Sequence, residues 1–355
     1  MNKNIITSLI AGILAVGALN SCSKDDPTLK TSVPAASFTY NMLTPTSDSN
    51  AQNLELINTS TNSMTAYWTI TDDEGNAIGS STGDSVKLAI IFAGTYTVKM
   101  SAAGPGGVSD TIQQTITIEK DNPFAVGPST LLGVLTGAGL GNSQRTWMAE
   151  RVINSVIVWD NYTDCLNQIN GGTGAWWSFG SGEIDPKTGR NGYLDDQYTF
   201  TFAKVGQFIY NDSNTVFLDA GGSFWTAALP APWNTALGSY ASTNPTTSSP
   251  TAIYNLVPAL KPWGSGNFTY TIVSAPGGAK GLGQITVNGI GAHIGMADKA
   301  NTSQETVPTA SSITYDVLKI NTGLKDASTG ATYDELILGV SEPNLVWTFM
   351  FRSNR

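Results

Sequence analysis

Two adjacent indoles, Trp176 and Trp177, stand between Gly171-Gly172-Thr173-Gly174 and Ser178-Phe179-Gly180. Neighbouring side chains of an extended chain point to opposite sides, so one indole can anchor inward while the other faces out. Trp233, within Pro230-Ala231-Pro232-Trp233-Asn234, and Trp263, within Lys261-Pro262-Trp263-Gly264, sit in segments flanked by Pro and Gly. A loop stiffened by Pro loses little entropy when it orders around a ligand. A large, flat indole suits stacking on the C–H face of a sugar ring. Tyr193-Leu194-Asp195-Asp196 adds a phenol and two carboxylates, groups that bond sugar hydroxyls well. The chemistry shared by Trp176, Trp177, Trp233, Trp263, Tyr193, Asp195 and Asp196 is glycan binding. Against it stands a plainer reading, in which each loop Trp plugs the end of a β fold and each Asp flanks a solvated turn.

Other chemistries are poorly supplied. Asp195 and Asp196 could ligate a structural Ca²⁺, which takes oxygen ligands. No run has the Asp-x-Asp-x-Asp-Gly spacing of a Ca²⁺ loop. With one His and two Cys, a thiolate or imidazole metal cluster lacks ligands. Glycoside hydrolysis needs two carboxylates facing each other across the scissile bond. Glu150, Glu183, Glu305, Glu335 and Glu342 each stand alone. No Gly-x-Ser-x-Gly nucleophile turn occurs in a strand-to-helix context. The expectation is a non-catalytic binding protein. The alternatives are a structural or adhesive surface protein and, behind it, a jelly-roll glycoside hydrolase.

The N-terminus supplies an address. Lys3 and the apolar stretch from Ile5 to Ala18, too short to span a bilayer comfortably, lead into Leu19-Asn20-Ser21-Cys22. This resembles a lipobox, with residues 1–21 as signal peptide and Cys22 as the acylated residue; two or three acyl chains anchor a protein stably. Ser23-Lys24-Asp25-Asp26 resembles the lipoprotein export signal of Bacteroidetes. That resemblance implies an outer-membrane lipoprotein facing the cell exterior. The formal charge is −9, which argues against nucleic acid as a partner. Cys165 is then the one remaining thiol, read as a small buried residue.

The elements that must position these residues are strands. Residues 22–34 read as a lipidated linker. From 35 to 120, short alternating runs such as Leu54–Ile57, Met64–Ile70 and Thr95–Met100 mark an antiparallel sandwich of immunoglobulin-like size. Asn58-Thr59-Ser60, the Trp strand Ala66-Tyr67-Trp68-Thr69-Ile70 and Gly94-Thr95-Tyr96-Thr97-Val98 give this stretch its resemblance to a PKD domain, whose usual role is a spacer. Thr71-Asp72-Asp73-Glu74-Gly75 replaces the family's Asp-Phe-Gly-Asp-Gly turn.

Residues 128–355 read as a jelly-roll β-sandwich, all-β like the module before it, with helix confined to a turn or two near Leu131–Leu135 and Tyr162–Gln168. Trp159 and Trp347, within apolar strands, read as core. Thr146-Trp147, the Trp176-Trp177 pair, Tyr193–Phe200 and Val346-Trp347-Thr348-Phe349 resemble the C-terminal domain that follows PKD modules in Bacteroidetes cell-surface lipoproteins. That resemblance implies a carbohydrate-binding domain working beside a SusC/SusD-like transporter complex.

Overall fold

The computed structural model describes residues 32–46, 50–152, 154–168, 175, 177–178, 191–213, 255, 258–296, 308–342 and 345–355. The chain forms two compact units. The first comprises residues up to 41 with 55–86 and 96–116, and the second 42–54, 87–95 and 117–355, so the division runs through strands of the N-terminal module.

That module has two small open sheets. One orders β1 (Phe38–Met42), β2 (Leu54–Asn58) and β5 (Ser85–Leu88). The other orders β4 (Ala77–Thr82), β3 (Thr65–Thr71), β6 (Gly94–Gly104) and β7 (Gly107–Val108), with β8 (Ile112–Ile118) also on β6. Alternation in β3 sends Ala66, Trp68 and Ile70 inward and Tyr67 and Thr69 outward. Trp68 meets Phe38 of the other sheet edge to face, with ring centroids 5.3 Å apart. Its indole N–H donates to the Gly83 carbonyl at 2.8 Å, so the buried ring leaves no donor unsatisfied. The Asn58-Thr59-Ser60 motif is an Asx turn: Asn58 Oδ1 accepts from Ser60 N at 3.0 Å, and Asn58 Nδ2 donates to Asp84 at 2.7 Å.

The C-terminal strands are β9 (Gln144–Ala149), β10 (Val156–Trp159), β11 (Trp177–Ser178), β12 (Gln197–Thr201), β13 (Gln207–Asn211), β14 (Gly266–Ser274), β15 (Gly283–Asn288), β16 (Ser312–Lys325), β17 (Thr332–Glu342) and β18 (Leu345–Asn354). Each strand from β12 to β18 pairs antiparallel with the next. β9 pairs with β12 on one side and β18 on the other, closing an eight-stranded ring. This is an up-and-down β-barrel, and it corrects the expected jelly-roll sandwich. Period-two alternation is common to both architectures. Strands β13 and β14, and strands β15 and β16, are neighbours in the ring although 54 and 23 residues separate them, so each long connection joins adjacent strands.

β10 rides on the same edge of β18 as β9. Met350 N–H donates to the Ser155 carbonyl at 2.8 Å, and its carbonyl accepts from Glu150 N at 2.9 Å. β11 then pairs outside β10.

An eight-stranded barrel is just wide enough for side chains to fill it. Trp147, Tyr198, Phe200, Phe208, Tyr315, Trp347, Phe349 and Phe351 do so. Helix α1 (Leu131–Thr136) adds Leu131, Val134 and Leu135 to the same core. It starts at Thr130, whose hydroxyl accepts from Gly133 N, and stops at Gly137 in the left-handed region. Its late carbonyls have no helical partners. Trp147 donates to the Leu135 carbonyl at 2.9 Å and Arg145 to that of Val134 at 3.1 Å.

Arg145 also latches the ring. From β9 it donates to Ser353 Oγ of β18 at 2.9 Å and to Asp334 Oδ2 of β17 at 2.6 Å. Asp334 is 1 % exposed and takes a second cation, Arg355, at 2.8 Å and Gly323 N–H at 2.7 Å. Burial pushes its carboxyl up, but the Gly323, Arg355 and Arg145 donors outweigh it and hold the group below the usual carboxylate range.

Candidate functional site

Strand directions put the strand ends that bound 160–196, 212–265 and 289–311 at one end of the barrel. Every site residue expected from sequence lies in one of these three segments. Trp176 and Trp233 fall outside the described residues. Trp177 opens β11, paired opposite Val158, where a loop was expected.

Three of the others are buried. Tyr193, on the short helix α3 (Asn191–Leu194), is fully buried, with its ring centroid 6.3 Å from that of Phe349. Trp263 is 3 % exposed and meets the His293 ring edge to face at 5.3 Å. Asp196 is also buried, accepting from the Tyr198 hydroxyl at 3.2 Å and bonded to Tyr210. Burial outweighs these bonds, and with the charges of Asp195 and Asp212 it holds the Asp196 carboxyl well above its usual range. Asp195 is half-buried, its carbonyl accepting from Ser213 Oγ at 2.7 Å.

Tyr193, Asp196 and Trp263, expected on a ligand-facing surface, are therefore buried instead. Tyr193 and Trp263 combine apolar area with a polar tip, and the end of a filled barrel needs that combination as much as a sugar site does. Among the described residues, no group of three His, Cys, Asp or Glu is placed to hold a metal ion.

The sole His completes this plug. His293 Nδ1 lies 2.8 Å from the Gly291 carbonyl, which makes it the protonated nitrogen of a neutral ring. Tyr210 packs on the ring edge to face, with centroids 4.4 Å apart. Burial pushes the imidazole down to about 4.

A different set of residues faces solvent. Helix α2 (Tyr162–Gln168) joins a second cluster on the outside of the barrel, where Trp159, Cys165, Leu318, Ile337 and Val346 are buried with Tyr162 packed against them. Burial raises the Cys165 thiol to about 12, making it inert.

Between Tyr162 and the outer wall of β15–β17 lies an open groove of about 360 Å³. Gln284, Ala310, Ser312, Ile313, Thr314, Asp316, Val340 and Ser341 complete its lining. Alternation explains the polar wall. Ile313, Tyr315 and Val317 face the core, which turns Ser312, Thr314 and Asp316 outward. Asp316 is the hub: Gln284 Nε2 donates to its Oδ1 at 2.9 Å, and the Tyr162 hydroxyl is bonded to it. Burial, then that bond and the Asp316 charge, hold the Tyr162 phenol well above its ordinary range, so it stays a donor. A carboxylate offers about four lone-pair directions; two partners leave room for further donors.

Sequence reasoning missed Tyr162, Gln284, Ser312, Thr314, Asp316 and Ser341 as site residues. The outward polar run of β16 was visible in the pattern, but the register that sets Asp316 opposite Gln284 was not.

No family model matches the chain, and no curated protein matches it. Among solved structures, the PKD1 domain of Vibrio anguillarum Epp is similar at 17% identity, over 26% of this chain and 99% of that one, with a TM-score of 0.20. The likeness to a PKD domain is distant and partial.

Proposed function

We propose that this protein is a glycan-binding surface lipoprotein, acylated at Cys22 and held at the outer membrane, facing the cell exterior. The barrel is its binding head and the N-terminal module its spacer. It captures glycan without cleaving it, for a SusC/SusD-like uptake complex. The groove carries this reading. A carboxylate, an amide, three hydroxyl side chains and a phenol converge on an open surface cavity; such groups fix sugar hydroxyls while a ring lies against a sugar face. Among the described residues the lining holds a single carboxylate, Asp316, where hydrolysis of a glycosidic bond takes two. Affinity electrophoresis of residues 23–355 through gels containing soluble β-glucan, α-glucan, mannan or xylan tests it. One polysaccharide is expected to retard the protein, and Asp316→Ala and Tyr162→Phe to abolish or weaken that retardation with little change in Tm. Retention by the parent that survives both substitutions places binding elsewhere.

A further inference from the structure

We propose that the ligand is an uncharged linear polysaccharide gripped along its length, which leaves the groove sideways across β15 and β14. This rests on the glycan-binding reading of the groove and specifies its ligand.

The register builds two rows of side chains on the outer wall. Thr271, Thr286 and Thr314 stand directly opposite one another on β14, β15 and β16, and Thr269, Asn288 and Ser312 do the same one step along. Inward alternation of Tyr270, Ile285, Val287, Ile313 and Tyr315 fixes these positions on the solvent side. Ser312 and Thr314 also line the groove, so both rows begin inside the site and run out of it. The hydroxyls of Thr286 and Thr314 lie 2.8 Å apart, already aligned across two strands.

Strands lie about 4.8 Å apart, and positions on one face of a strand about 7 Å apart. A row thus presents a hydrogen-bonding group at intervals close to the length of one pyranose unit. Hydroxyls and amides donate and accept alike, which matches sugar hydroxyls in either orientation. None of the six positions is charged, and among the described residues the one charge in the groove lining is the carboxylate of Asp316. A uronate or sulfate would meet no cation among the described lining residues and would be repelled by Asp316. Thr also favours strands on packing grounds alone. On that ground alone, changing the β14 positions would leave binding untouched.

The test uses residues 23–355 with the neutral polysaccharides above and polygalacturonate as the anionic probe, alongside calorimetry with a disaccharide and a long oligosaccharide of whichever glycan is retained. Thr269→Lys and Thr271→Lys lie on β14, outside the groove lining. Each is expected to weaken binding of the polymer at least about fivefold while leaving the disaccharide's affinity unchanged. The long oligosaccharide is expected to bind more tightly than the disaccharide, and polygalacturonate to run through. Equal affinity for disaccharide and polymer, indifference to both Lys variants, or retention by polygalacturonate overturns this inference while Asp316-dependent binding still stands. Loss of all retardation in the parent overturns the groove reading itself.

Discussion

His293 owes its neutrality to its surroundings: the Gly291 carbonyl, the faces of Tyr210 and Trp263, and the carboxylate of Asp212. Burial is the largest influence and lowers its proton affinity; the Gly291 bond and the Asp212 charge oppose it. The sign of the linkage follows. The folded value of about 4 lies below the ordinary 6.5, so between these the unfolded chain binds more protons. This stability is whole above pH 6.5 and drains as pH falls to 4, about 3 kcal/mol in all. Asp196 runs the other way: its raised carboxyl favours the fold at low pH and costs stability as pH rises. Urea titrations of the parent and His293→Gln at pH 7, 6, 5 and 4.5 separate the two. Their stability difference is expected to shrink steadily over that range. A constant difference would mean that the imidazole titrates normally in the fold. The lone His in Gly289-Ile290-Gly291-Ala292-His293 was legible as structural because that segment is apolar and rich in Gly. Trp263, Tyr193 and Asp196 were not, since a sequence does not say which loop residues a barrel end consumes.

At the scale of elements, the segment 289–296 does the closing. Gly291 to Met296 are all buried, Ile294 N–H donates to the Tyr315 hydroxyl at 2.8 Å, and the Gly295 carbonyl accepts from Tyr198 at 3.2 Å. Gly291 sits at φ +88°, and a Cβ there would fall 1.8 Å from the Pro262 carbonyl oxygen. No rotamer relieves a clash with backbone. Gly281 has a similar φ of +67° but open space around it. Gly281→Ala is therefore expected to cost about 1 kcal/mol for its backbone strain alone, and Gly291→Ala at least twice that in thermal or chemical unfolding. Equal losses would show that the plug yields to the added methyl. Helices α1 and α2 and most strands were readable from periodicity alone. β13 was overlooked because Gln207–Asn211 shows few β-branched residues between two loops. Val216–Asp219, also read as a strand, lies outside the described residues.

For the barrel, closure is the decisive property, and alternation cannot report it. The run Val346–Phe351 is apolar on both faces because Trp347, Phe349 and Phe351 fill the ring while Val346 packs beneath the α2 cluster. From sequence this was equally consistent with a central strand of a sandwich. The seam itself is thin: Phe351 opposite Ala149 and Arg352 opposite Met148. Arg145 reinforces it by joining β9 to Ser353 and Asp334. Its removal would leave Asp334 buried with Arg355 as the remaining cation, and breaking such a pair typically costs about 3–5 kcal/mol. Arg145→Ala is expected to lose that much in chemical unfolding. Amide exchange gives the sharper reading. In the parent, the β9 amides facing β18 should exchange no faster than those of β17, because a closed ring has no edge to fray. In Arg145→Ala they should become the fastest of the ring strands while β14–β16 stay protected. If β9 already exchanges far ahead of β17 in the parent, the ring is open in solution and Arg145 is not what closes it.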